Sequence, residues 1–125
     1  MTKEATIHNF WSSFGLTAHE ENSVPTGDDR PEFPYLTYQL VVDSFDNAVA
    51  MTASLWNNST SWAYLTVKSN EIAQTIGRGG IFLDCDGGSI WIKRGVPFIQ
   101  NMSDPSDLNI KRKLINITVE YLTEN

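Results

Sequence analysis

The sequence predicts an α+β fold, an antiparallel β-sheet with two helices packed on one face. Three observations predict it. Two segments place apolar residues at helical spacing, several others alternate apolar and polar residues with a period of two, and the strand-like runs neighbour one another instead of alternating with helices one for one. The 125 residues suit a single domain, 1–125. A chain of that length can bury a sizeable core without a disulfide or metal.

Residues 3–14 read as a helix. Ile7, Phe10, Trp11 and Phe14 stand at i, i+3, i+4 and i+7 and form one mostly aromatic stripe. Thr2 is placed to cap its start and Gly15 to stop it. A short strand is expected within 16–24. PTGDDRPEFP follows; its prolines remove donors and it lacks apolar period, so it is a loop, and long loops in compact domains are often functional.

YLTYQLVVDSF (35–45) alternates, with Leu36, Tyr38, Leu40 and Val42 on one side. DSFDN then turns the chain, and AVAMTASLW (48–56) alternates again through Val49, Met51, Ala53 and Leu55, so the two runs form a hairpin. NNSTS supplies capping residues for a second helix over 61–76, with Trp62, Leu65, Ile72, Ala73 and Ile76 at helical spacing and Gly77 as the stop. A second hairpin follows in GGIFLDCDGGSIWIKRG (79–95). With Gly87-Gly88 as its two-residue loop, Asp86 pairs Ser89, Cys85 pairs Ile90, Asp84 pairs Trp91 and Leu83 pairs Ile92, which keeps every inner pair apolar. A loop through VPFIQNMSDPSD leads to a last strand, 109–122, in which Ile115, Ile117, Val119 and Tyr121 share a face.

Composition narrows the function. Hydrophobic residues are 41% and charged residues 19%, a globular balance. The net charge of −6, from 15 acids against 9 bases, argues against a nucleic-acid coat, which depends on cations that neutralise phosphates. It does not prevent the protein from standing next to DNA. One cysteine leaves no internal disulfide. The start shows no signal-peptide core, and no apolar run approaches a membrane span. Synthesis in a reducing cytosol is therefore expected, with the N-x-[ST] triplets at Asn57, Asn58, Asn101 and Asn116 as chance matches.

The stretch around Cys85 has the most reactive look. A calcium loop begun at Asp84 meets Asp86 at position 3, but Gly88, Ser89 and Gly95 fall where ligands or the turn glycine are required. Cys85, His8 and His19 have no zinc spacing. Asp84 and Asp86 would raise the thiol pKa, and alternation puts Cys85 with Ile81 and Leu83, so a small buried hydrophobe is expected. GRGG (77–80) lacks the lysine of a phosphate loop and reads as a helix stop, and no G-x-S-x-G elbow occurs. The reading is of a protein with no enzymatic activity, metal or cofactor.

Partner-facing features remain. Trp56 and Trp91 fall on the less apolar strand faces, which suits either a partner surface or partial cover by loops. Lys111, Arg112 and Lys113 open the last strand, either to meet a partner's acids or nucleic acid, or to protect a sheet edge.

The order FPYLTYQLVV, AVAMTASLWNNSTSW, IAQTIGRGG, GGSIWIKRGVPFIQNMSDPSD and KRKLINITVEYL, after an aromatic helix and an acidic loop, resembles the tail terminator family of phages and prophages of Gram-positive bacteria. The resemblance runs through nearly the whole chain on loose motifs. It implies a virion structural protein of the head-proximal tail end, a homo-oligomeric ring, typically a hexamer. Such a ring caps the last ring of tail-tube protein, stops tube growth and meets the neck or head-completion protein. DNA passes through its lumen without specific binding, and no membrane is involved. A neck adaptor is the first alternative, then a small unrecognised enzyme or a host-directed binding module. No catalytic residue carries over. Pattern alone suggests the interface residues: Asp28, Asp29 and Arg30 in the acidic loop, Trp91, Lys93 and Arg94 facing out from the second hairpin, and Lys111, Arg112 and Lys113 as partners for a neighbour's Asp28 and Asp29.

Overall fold

The computed structural model describes residues 1–45 and 48–124; Asp46 and Asn47, within the expected DSFDN turn, and Asn125 lie outside the described residues. Helix α1 (Lys3–Ser12) is followed by β1 (Ala18–Glu20), a single 3₁₀ turn (Gly27–Asp29), β2 (Tyr35–Tyr38), β3 (Ala48–Asn58), α2 (Ala63–Ile76), β4 (Ile81–Cys85), β5 (Gly88–Ser103) and β6 (Ile110–Thr123). The class is α+β. The six strands form one sheet in the order β1-β2-β3-β6-β5-β4. It is mixed, not antiparallel throughout: β1 runs parallel to β2, and every other pair is antiparallel. The long loop 21–34 makes this possible, because it carries the chain back so that β2 can start beside β1 in the same direction.

One core holds the layers together. Strand alternation turns Leu36, Met51, Leu55, Ile90, Ile92, Ile115, Ile117, Val119 and Tyr121 inward, and Ile7, Trp11, Leu65, Ile72 and Ile76 of the helices join the same cluster. Each fully buried aliphatic side chain contributes roughly 1.5–3 kcal/mol of transfer energy. In α1, which ends at Ser12 and so stops short of the expected residue 14, the rings of Phe10 and Trp11 meet edge-on at 4.9 Å, and Phe14 just past the helix meets Phe10 edge-on at 5.4 Å. The Thr2 hydroxyl accepts from the Ala5 amide and caps this helix. The Lys68 ammonium donates to the Phe14 carbonyl at 2.8 Å and ties α2 to the end of α1. Trp62 stands at the N-cap of α2, before the helix and not on its stripe.

Four local expectations change. β2 ends at Tyr38, where alternation breaks: Val41 packs on the core and Val42 is exposed. The Tyr121 hydroxyl donates to the Val41 carbonyl and holds that segment in. The second hairpin turns at Asp86-Gly87, so Cys85 faces Gly88, Leu83 faces Ile90 and Phe82 faces Trp91. Gly87 takes the turn with φ 83°, whereas Gly88 belongs to the strand; a Cβ there would run into the Leu122 carbonyl oxygen. The slip moves each partner by two residues, so the inner and outer faces survive it. The expected loop after Gly95 is mostly strand: β5 bulges where residues 95–98 face the single Asn116, then pairs with β6 again from Ile99 to Ser103. Finally, β6 lies between β3 and β5 and is no edge strand, so its cations do not protect an edge.

Candidate interaction surface

The basic triplet is divided by the pleat. Lys111 and Lys113 point inward and are 9% and 7% exposed. Both ammonium groups sit 5.4 Å from the centre of the Trp62 ring. Lys111 donates to the Leu108 carbonyl at 2.7 Å, and Lys113 to the Asn101 side-chain oxygen at 2.6 Å. Burial pushes the Lys113 pKa below the usual lysine value. These two cations are engaged within their own chain.

Arg112 points to the other face. There it joins a row that crosses four strands, because Tyr35 pairs Trp56, Trp56 pairs Arg112 and Arg112 pairs Met102. The Tyr35 and Trp56 rings are stacked, 16° from parallel at 6.2 Å. The Arg112 guanidinium carbon lies 4.9 Å from the centre of the Trp56 ring. Its Nε–H donates to the Ser54 hydroxyl at 2.9 Å, and the Trp56 indole N–H donates to Thr37 at the same distance. Ser54, only 4% exposed, is the one buried residue on the outer face of β3, sealed under the guanidinium. The row is a rigid strip of aromatic and cationic surface.

Two hollows flank it and share Ile110. One, about 250 Å³, is lined by Trp56, Met102, Asp104, Pro105 and Arg112. The other, a cleft of about 730 Å³, runs under the loop before β2 between Pro25, Pro31, Phe33 and Tyr35, with Asp28, Glu32 and Arg30 on its walls. The acidic loop thus sits beside the first residue of β6 within one chain. Asp28, Asp29 and Arg30 are exposed in or next to the 3₁₀ turn.

The other predicted residues gather at the far corner of the sheet. Phe82 and Trp91 stack 13° from parallel at 5.0 Å, Trp91 donates to the Gly79 carbonyl, and the Lys93 ammonium sits 4.1 Å from the centre of the Trp91 ring. Lys93 also pairs with Glu120 at 3.2 Å. Arg94 does not share this face. It follows the inner parity, reaching back to donate to the Ala73 carbonyl of α2 at 2.7 Å, with Phe98 beside its guanidinium. Val96, at the tip of the bulge, is 99% exposed.

Cys85 packs half-buried against the core, and burial is the main cause that raises its thiol pKa. His8 bonds to the Tyr38 hydroxyl at 2.9 Å, while His19 lies on β1. Among the described residues no group of three or more His, Cys, Asp or Glu is placed to hold a metal ion, and no helix is long and apolar enough to cross a membrane. Sequence reasoning missed Phe33, Tyr35, Ser54 and Met102 as parts of the surface. The outward parity of Tyr35 against Leu36 was the available signal. No protein-family model, curated protein or solved structure matches the chain.

Proposed function

We propose that the chain is a tail terminator: a virion structural protein that assembles as a ring, typically a hexamer, on the last ring of the tail tube, ends tube growth and forms the joint to the neck. The finer fold assignment, a tail-terminator-like arrangement of sheet and helices, belongs to the same proposal. The observation that carries it is the outer-face row Tyr35–Trp56–Arg112 with its adjoining clefts. It is a broad, rigid aromatic surface of the kind that protein partners bury, since Trp, Tyr and Arg dominate interface energetics. The order of segments along the chain, which resembles that family, points the same way. Catalysis has no part in this reading.

The net charge of −6 suits a conduit for DNA, because a negative lumen repels the phosphates and lets the duplex slide. Polymerising tail-tube protein with and without the chain tests the proposal. A terminator binds tube ends and shortens the tubes in electron micrographs. A chain that leaves tube length unchanged while binding neck protein is a neck adaptor, and the proposal then fails.

A further inference from the structure

The chain carries two separate surfaces, one at the start of β2 and one at the β4 edge of the sheet, that complement each other. At the start of β2 is the 730 Å³ cleft, walled by the Phe33 and Tyr35 rings and by the carboxylates of Asp28 and Glu32. Carboxylates beside aromatic faces make a receptor for a cation, above all a guanidinium, which can stack and accept bonds in its plane. Arg30 lies on the same wall, but with Asp29 next to them in the 3₁₀ turn the acids outnumber it.

At the β4 edge, Arg78 stands in the glycine loop Gly77-Arg78-Gly79-Gly80 that leads into β4. It is exposed. The side chains of Lys68, Lys93, Lys111, Lys113, Arg94 and Arg112 are all engaged inside the chain. Among the described residues no hydrogen bond, ion pair or ring contact holds the side chain of Arg78. The loop itself is fixed, because Trp91 donates to the Gly79 carbonyl, and Phe82, 58% exposed, extends the apolar surface next to it. Asp84 is also exposed on β4, and Asp86 is taken by the Met1 ammonium.

Arg78 cannot reach the cleft of its own chain. β4 and β2 are four strand steps apart in the sheet, about 19 Å at the usual spacing. We propose that Arg78 of one copy, with Phe82 beside it, seats in the Asp28–Glu32 cleft of the next copy. The inference rests on the ring reading above and names its contact. Two different patches set apart on the molecule make a head-to-tail interface, the kind that closes into rings.

Sedimentation velocity on the full chain tests it with two variants, Arg78→Ser and the double variant Asp28→Lys/Glu32→Lys. All of these sites are exposed, so both variants should keep the wild-type fold, which circular dichroism checks. The wild type is expected to associate, less so at high salt. Each variant alone should lose at least about tenfold in association, the equivalent of 1.4 kcal/mol. Their equimolar mixture should form dimers and nothing larger, because each variant keeps one competent patch. Variants that assemble like the wild type, a mixture that stays monomeric, or a wild type that is monomeric up to about 1 mM, where only contacts weaker than about 4 kcal/mol escape, each overturn the contact. A chain that forms rings through this contact yet leaves tube length unrestrained overturns the terminator reading alone.

Discussion

The two faces of β6 share one backbone and one alternation but satisfy their side chains differently. Inward, Ile115, Ile117, Val119 and Tyr121 are at most 1% exposed, and even Lys111 and Lys113 are closed in against Trp62. Outward, Arg112, Leu114, Asn116, Thr118 and Glu120 stay half-exposed. The difference bears directly on function. A cation sealed against its own chain cannot meet a partner without being dragged out, whereas Arg112 keeps its place on Trp56 and still lines an open hollow. Three consecutive bases are therefore not one basic patch.

The sharpest way to break this contrast is to truncate both faces at neighbouring positions. Ile117→Ala should lose about 2–5 kcal/mol of stability, as buried aliphatic truncations do, because a cavity remains in a core that cannot fully collapse. Thr118→Ala should stay within about 0.5 kcal/mol. Urea denaturation measures both. Similar losses at the two sites would mean that the outer face is as closed as the core.

Alkaline pH acts on the inner face next. Burial, helped by the nearby Glu4, Asp43 and Cys85, raises the Tyr121 pKa to about 12 from 10.0. The folded state therefore holds a proton that the unfolded state loses above pH 10. The resulting stability is fully present below pH 10 and is lost as pH rises through about 12, a total of about 2–3 kcal/mol. Thermal melts from pH 9 to 12 should show that decline. Tyr121→Phe should flatten it at the expense of the hydrogen bond to the Val41 carbonyl. Tyr35 and Tyr38, also raised by burial, leave a residual slope in the variant.

How much of this was legible depends on the range of the interaction. The α1 stripe, its Thr2 cap and the Gly77 stop are local, so spacing along the chain reveals them. The insertion of β6 between β3 and β5 is not local: Ala48 pairs Glu120, far along the chain, and nothing near either residue encodes that. The stretch VPFIQNMSDPSD reads as a loop, but a bulge opposite Asn116 accommodates Pro97 and pairing with β6 resumes at Ile99. The division of the basic triplet was legible in principle, since Lys111 and Lys113 share the parity of Ile115 and Ile117. The outward positions of Trp56 and Trp91 were legible too. The row Tyr35–Trp56–Arg112 was not, because three residues from three strands align only once the register between those strands is known.

On the outer face, Arg112→Ala should cost less than the core truncation, about 1–2 kcal/mol, from the lost ring contact and from the buried Ser54 hydroxyl left without its donor. Arg112→Lys should recover only part of that, because an ammonium has no planar fork to lie on Trp56 and bond Ser54 together. Urea denaturation of the two variants beside the wild type measures the difference. Full recovery with lysine would reduce the row to a matter of charge.

The smallest effect is expected at the opposite corner. Lys93 and Glu120 pair at 3.2 Å with side chains 33% and 31% exposed, open enough for water to screen the charges. Glu120→Gln should change stability by no more than about 1 kcal/mol, and 0.5 M salt should erase most of the difference. The cation would then be held chiefly by the Trp91 ring 4.1 Å away. A larger, salt-insensitive loss in chemical denaturation would instead mean that the Phe82–Trp91 stack shields the pair from solvent. The corner that presents Arg78 and Phe82 would then be as rigid as the row at Arg112, and the two ends of the outer face would be alike, not graded.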